Sequence, residues 1–247
     1  GFSWSKGYPS SGKEVLFKES FPNLISADIC SCTIESAKTV TLLSGNTLGI
    51  EFSYSGLGTL VLEDTASLYQ SDDSVVNTGI INLFRKTKPI LRYDYTFWSS
   101  PVDNQKLIDV SPNTLFDKYL SFDTAGGWKE EPRLNNMLLG KGYAIRGPQE
   151  FSITSRAVYE AVFKGIPNNG KVEIELGETD SFGLVGNPYP SAIDAAIFLK
   201  KNNLKTKGAL YFWMHHTPVT NFEYNSDDYA AYNLVGGVNT EASYSGV

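Results

Sequence analysis

The 247-residue chain is poor in the residues that soluble enzymes and metal proteins most often use: it has two cysteines, two histidines and two methionines. Cys30 and Cys32 form a lone C-x-C, too few ligands for a structural zinc site and without the C-x-x-C spacing of a redox pair. On a strand they would share one face. Two readings stay open: a strained disulfide in an oxidising compartment, or two small semi-buried thiols. The histidines, His215 and His216, are adjacent; on a strand they would point to opposite faces and could not easily hold one metal together.

Positive charge is also scarce. With 21 Lys and Arg against 27 Asp and Glu, the net charge is −6 and the isoelectric point about 5.0. That disfavours nucleic acid as a partner, because counterion displacement from phosphates needs clustered cations. The run Arg85 to Lys88 with Arg92 is too short to reverse the balance. No apolar stretch approaches the ~18 residues of a membrane span. The chain has no G-x-S-x-G elbow, H-E-x-x-H, Walker loop or dinucleotide fingerprint, which disfavours those enzyme classes. It opens "GFSWSKGYPSSGK", with neither an initiator Met nor a charged and apolar leader, and so reads as a processed or excised piece.

What is abundant are 14 Tyr, 14 Phe, 4 Trp and 22 Gly, with charged residues at 19%. This balance suits strands and turns, so the expected class is all-β. In the first third Val40-x-Leu42, Leu60-x-Leu62 and Ile81-x-Leu83 recur at about twenty residues, in phase with Leu48-x-Ile50 and Leu68-x-Gln70. Turn-forming stretches such as "SGN", "SGLG" and "EDTAS" separate them. Stacked coils of a β-solenoid explain this phase, and a β-meander with coincident spacing is the alternative.

After Lys88 and Pro89 the pattern changes, which divides the chain into a solenoid-like region at 1–88 and a second module at 89–247. In "LRYDYTFW" the residues Leu91, Tyr93, Tyr95 and Phe97 alternate with Arg92, Asp94, Thr96 and Trp98. Further strands are predicted at 142–147, 150–154, 158–165, 171–176, 182–186 and 209–215, with a hairpin-type turn at Asn169-Gly170. Many short strands with such turns predict an antiparallel β-sandwich. One short inserted helix is expected after Asn187-Pro188-Tyr189-Pro190, capped by Ser191 with Asp194 as its capping-box partner. Its expected buried stripe is Ile193, Ala196, Ile197 and the Lys200 stem, with Asn202 and Asn203 closing it. Tyr189-Pro190 is a candidate cis bond.

Three chemistries are conceivable in this chain. Exposed rings stack on sugar faces, which nominates Trp98, Trp128, Trp213, Tyr229 and Tyr232, although Tyr211 and Trp213 share a face that also suits core packing. Calcium accepts carboxylates and carbonyls from loops, which nominates Asn225, Asp227 and Asp228 of "NSDDYAAYN", at a spacing that matches no EF-hand. Glycoside hydrolysis needs two carboxylates, and Glu173 and Glu175 would share a strand face in "KVEIEL". Solvated acids explain those pairs, and the Asp72-Asp73 pair, just as well.

The motifs "GNPYPSAIDAAIFL", "YTFWSSPV", "TLFDKYLSFD", "LLGKGYAIRGP", "GALYFWMHHTPV" and "SDDYAAYNLVGGV" together resemble the β-rich regions of large secreted and cell-surface proteins of the Bacteroidota, cargo of the type IX secretion system. The resemblance implies an extracellular or outer-membrane-surface location and a β-solenoid followed by a β-sandwich. It also implies a fragment, incomplete at its C-terminus, that meets the type IX export apparatus through a sorting domain beyond Val247. The expected function is therefore a non-catalytic spacer, display or adhesion module, contacting surface glycan or another cell-surface protein. The alternatives are a carbohydrate-binding accessory region and a glycan-cleaving enzyme.

Overall fold

A computed structural model describes residues 4–177, 181–214 and 228–238. The repeat forms three stacked coils, each with three strands. The first coil holds β1 (Glu14–Phe17), β2 (Phe21–Leu24) and β3 (Ala27–Ile29); the second holds β4 (Ser31–Ile34), β5 (Thr39–Leu42) and β6 (Thr47–Ile50). The third holds β7 (Tyr54–Gly56), β8 (Thr59–Leu62) and β9 (Ser67–Gln70), and β10 (Ile80–Lys86) starts a fourth. Equivalent strands pair in parallel, giving the faces β1-β4-β7, β2-β5-β8-β10 and β3-β6-β9 of a three-sided β-solenoid.

The phase read from the sequence is the register of these sheets. Val40 lies beside Leu60 and Leu60 beside Ile81, while Leu42, Leu62 and Leu83 form the next row. Leu48 lies beside Leu68, and Ile50 beside Gln70. All the apolar members of these rows are buried. Because side chains alternate along a strand, an x-Φ-x-Φ pattern at a constant step stacks like on like inside the coils. Polar ladders run along the outside: Thr33 bonds Ser55, and Ser44 bonds Thr65, each at 2.9 Å.

A stack of parallel strands must end with unpaired backbone groups, and three different devices meet that need at the last coil. On the second face, β15 (Glu160–Gly165) pairs antiparallel with β10, from Ile81 opposite Gly165 to Lys86 opposite Glu160. On the third, the amide of Leu68 donates to the Pro190 carbonyl at 2.9 Å. On the first, the amide of Tyr54 donates to Asn77 Oδ1 at 2.9 Å, and the amides of Thr78 and Gly79 donate to the Tyr54 carbonyl. Buried Asn77 also bonds Gln70 and, through Nδ2, the Pro167 carbonyl. The opposite end is covered differently: Trp4 packs on Phe17 and Phe21, and the edge strand β2 carries Pro22 and a register shift.

The second module starts with β11 (Tyr95–Trp98) and α1 (Leu107–Val110), followed by β12 (Tyr119–Asp123), β13 (Gly127–Glu130) and β14 (Tyr143–Arg146). These strands form an antiparallel sheet in the order β11-β14-β12-β13. One face, with Trp98, Tyr119, Tyr143 and Ile145, joins the solenoid core through Phe163 of β15. The other meets a second antiparallel sheet, β16 (Ala209–Trp213), β17 (Tyr229–Asn233) and β18 (Gly236–Val238), through Phe97 stacked on Trp213. The chain is thus all-β, a solenoid followed by packed antiparallel sheets, with the helix α2 (Ala195–Lys201) inserted between β15 and β16.

Several local expectations fail for identifiable reasons. Residues 91–94 form a turn rather than the start of a strand, because the buried Asp94 carboxylate accepts the Leu91 amide at 2.9 Å and pairs with Arg156 at 2.7 Å. Residues 150–154 are not a strand: the Ser152 hydroxyl accepts the amides of Thr154 and Ser155, a local bond that competes with pairing. Among the described residues, 171–176 join no strand; Ile174 and Val172 lie so close to Gly140 that a Cβ there would run into them. Of 182–186 only Val185 bridges, to Lys141. Asn169-Gly170 makes no hairpin, since the Asn169 side chain instead donates to the Asp72 and Val75 carbonyls of the solenoid.

The helix begins three residues later than the Ser191 cap predicts. Asp194 is the N-cap, accepting the Ile197 amide at 2.8 Å, and Asn202 closes the other end on the Phe198 carbonyl. Leu199, rather than the Ile193–Ile197 stripe, is the buried residue of the helix, which lies near β16 and β17. No cis peptide bond occurs among the described residues, and Cys30 and Cys32 are free thiols. Burial pushes the Cys32 thiol up to about 12, so it behaves as a small apolar core residue.

Replacing Asn77 with Ala strands the Tyr54 amide inside the protein. Urea unfolding of Asn77→Ala is expected to show a loss of about 1–3 kcal/mol relative to the parent. A loss below about 0.5 kcal/mol, the size of an ordinary surface change, would mean that Asn77 is not the cap of this face.

Candidate ligand-binding surface

The register of the two antiparallel sheets decides which aromatic residues meet. Trp128 on β13 lies opposite Phe122 on β12, and the two rings touch edge to face at 5.3 Å. Phe97 reaches the same face and contacts Trp128 at 5.7 Å, Trp213 at 5.9 Å and Tyr229 at 6.4 Å. Trp213 and Tyr229 are themselves partners at 5.0 Å across the β16–β17 pair. Three of the five predicted platform residues therefore form one cluster. Trp128 is its outer member, 47% exposed on the edge strand, whereas Trp213 and Tyr229 are partly buried between the sheets.

Trp98 and Tyr232 do not belong to this cluster. Trp98 follows Phe97 on β11, so its ring points to the other face and packs on Phe163 at 5.8 Å, in the core. Tyr232 is one residue out of phase with Tyr229 and sits beside Leu210, on the opposite face of its sheet. Both are corrections to a selection made by residue type alone. Alternation along the strand already separated Trp98 from Phe97, while the contribution of Phe97 and Phe122 was missed because phenylalanines look like core filling.

Beside Phe122 is an open cleft of about 340 Å³ lined by Ser121, Asp123, Lys129, Glu131, Lys141 and Glu175, among others. Its floor is the cross-strand pair of Ser121 and Lys129. Glu131 is the organising group, 15% exposed, accepting from the Ser121 hydroxyl at 2.7 Å and from Lys141 Nζ at 3.3 Å. Burial alone would raise its pKa, but the hydrogen bonds from Ser121, Lys141 and Asn135 and the Lys141 charge outweigh it and hold the carboxyl below its usual range. Gly177 closes the rim, where a Cβ would run into the side chain of Thr124. The cleft offers charges of both signs and a hydroxyl; its floor pair Ser121 and Lys129 alternates with Phe122 and Trp128, so it lies on the opposite face of the β12–β13 pair from the aromatic cluster.

The predicted carboxylate pair is split. Glu175 lines the cleft, but Glu173 is exposed and bound to Lys171 at 2.6 Å; with no strand over 171–176 the two share no strand face. Of the candidate calcium ligands, Asn225 and Asp227 lie outside the described residues, as do His215 and His216. Asp228 is buried at the start of β17, where its carbonyl accepts the Met214 amide. Among the described residues no three His, Cys, Asp or Glu side chains gather as a metal site, and no helix is long and apolar enough to cross a membrane. Arg85, the first residue of the basic run Arg85 to Lys88, is turned inward to the carbonyls of Ala66 and Phe84.

A three-sided parallel solenoid closed by antiparallel sheets, with an open aromatic and polar surface on the closing module, defines the class of protein. Within it, the chain belongs to the family described as a domain of unknown function, DUF8693, whose model matches residues 3–247. No curated protein and no solved structure matches the chain.

The depressed pKa of Glu131 has a measurable sign. A carboxyl that binds its proton more weakly folded than unfolded contributes stability above its unfolded value, near 4.5. That contribution is lost as pH falls through the lower folded value. Thermal melts are expected to place Glu131→Gln below the parent at about pH 7, with the gap closing as the pH falls below about 4.5 toward 3. A gap that stays constant over that range would contradict the assignment.

Proposed function

We propose that the chain is a non-catalytic module of a larger exported protein, working outside the cell or on the outer-membrane surface as a spacer, display or adhesion element. The observation that carries this reading is the continuous sheet β2-β5-β8-β10-β15. It joins the solenoid and the second module by backbone hydrogen bonds, which suits a rigid rod that holds a binding face at a distance. Export by a type IX apparatus, through a sorting domain outside this sequence, belongs to the same proposal and rests on the resemblance of the motifs.

The chemistry of the cleft supports binding over turnover. A glycosidase needs a protonated acid, and therefore a carboxyl with a raised pKa, beside a second carboxylate. Glu131 is shifted the other way, which suits a permanent charge that orients Ser121 and Lys141. A second reading, glycan binding, is favoured by one observation: Trp128 is half-exposed on an edge strand, at the margin of an aromatic cluster with Phe97 and Phe122. An exposed ring face is what protein surfaces stack on sugars.

Glycan-array screening followed by titration of the best ligand tests both readings. The parent is expected to bind without consuming the glycan, and Trp128→Ala to weaken binding about tenfold, the loss of one stacking contact. Equal affinity of Trp128→Ala would remove Trp128 from the site. Release of reducing ends from any bound polysaccharide would overturn the non-catalytic reading.

A further inference from the structure

The end of the β16–β17–β18 sheet where β16 starts and β17 finishes carries an unusual combination of side chains. Ala209 lies opposite Asn233, so the α2–β16 connection and the β17–β18 turn are brought to the same end of the sheet. Leu204, in the connection, is 92% exposed, and Val235, in the turn, is 98% exposed, with Leu234 half-exposed beside it. Both apices are held by hydrogen bonds. The Asn202 carbonyl accepts the amides of Lys205 and Thr206 around Leu204, and Asn233 Oδ1 accepts the amides of Val235 and Gly236. The aliphatic tips are presented by closed turns.

The charge carried by these two segments is of one sign. Lys200, Lys201, Lys205 and Lys207 fall within the same short stretch, and neither Ala195–Met214 nor Tyr229–Val238 contains an Asp or Glu. In a chain with net charge −6 this is a concentrated basic face. Asp194 is spent at the far end of α2 as its N-cap. Single exposed aliphatic residues are ordinary on protein surfaces. Exposed aliphatic tips with lysines in the same short stretch are the composition of an interfacial anchor, in which apolar groups enter the acyl boundary while ammonium groups remain among anionic headgroups.

We propose that this end of the sheet is a docking surface for an anionic lipid membrane, with Leu204, Leu234 and Val235 as the inserting residues and Lys200, Lys201 and Lys205 as the headgroup contacts. An acidic polysaccharide would satisfy the lysines, but it offers nothing to isolated aliphatic tips, which lack the flat ring faces that sugars stack on. The surface lies on other residues than Trp128 and its aromatic cluster. It adds a partner to the surface-module reading without depending on it, and either can fail alone.

Flotation with lipid vesicles tests the proposal. The chain is expected to float with phosphatidylcholine vesicles containing about 30% phosphatidylglycerol and not with phosphatidylcholine alone, and to be released by salt as the Debye length shrinks. Neutralising the three cations in K200Q/K201Q/K205Q removes about fivefold per residue, a loss on the order of a hundredfold. The charge-preserving K200R/K201R/K205R keeps the binding. L204S/V235S, at positions whose side chains touch little else, weakens binding at least several-fold with an unchanged melting temperature. Failure to bind the anionic vesicles, equal binding to the neutral ones, or undiminished binding by either loss variant overturns the proposal. Retention on dextran sulfate without vesicle binding would overturn it too, and would assign the face to polyanions in general.

Discussion

Every parallel coil leaves its last row of amides and carbonyls without a partner, and the rest of this molecule is arranged around that need. A buried unpaired backbone group costs as much as a lost hydrogen bond. Three rows of them would offset much of what the stacked leucines and isoleucines contribute. The three faces are closed by three unlike elements: a reversed strand, a proline carbonyl and an asparagine side chain. All three come from outside the three full coils, and two of them, β15 and Pro190, belong to the second module. Past β10 the pairing changes from parallel to antiparallel, while the hydrogen bonding runs straight across that change.

The stretch Leu184–Asn203 illustrates how a local signal acquires a distant role. Its prolines bar regular pairing and precede a helix, as their chemistry requires. In the folded chain Pro190 also accepts from Leu68, the Asn168 side chain donates to Pro188, and the Tyr189 hydroxyl reaches the Gly170 carbonyl. A segment that cannot continue any regular structure is well suited to seal the end of another, because its carbonyls remain free to accept.

The solenoid was legible because its period is carried by side chains that repeat in kind, Val40 with Leu60 and Ile81, and a parallel register translates that repeat directly into contact. The second module was less so. In "KVEIEL" the alternation is as clean as in any true strand, yet the decisive fact is a neighbour more than thirty residues away, Gly140, against which Val172 and Ile174 settle. The helix cap was misread by one turn because Ser191 and Asp194 are both good caps, and only the burial of Leu199 in the folded chain selects between them. For the aromatic surface, residue type nominated five rings, of which Trp128, Trp213 and Tyr229 meet in one cluster. Strand parity and cross-strand register, which composition does not carry, removed Trp98 and Tyr232.

At the other end of the stack the edge strand β2 is irregular: Pro22 has no amide to offer and the register slips between Phe21 and Leu24. Trp4 and Phe21 fill the space over the core there. On that face, a second copy brought end to end would find no regular ladder of donors and acceptors. A fold whose internal logic is repetition carries its own stop signal, and that keeps a stackable shape from becoming the seed of a fibre.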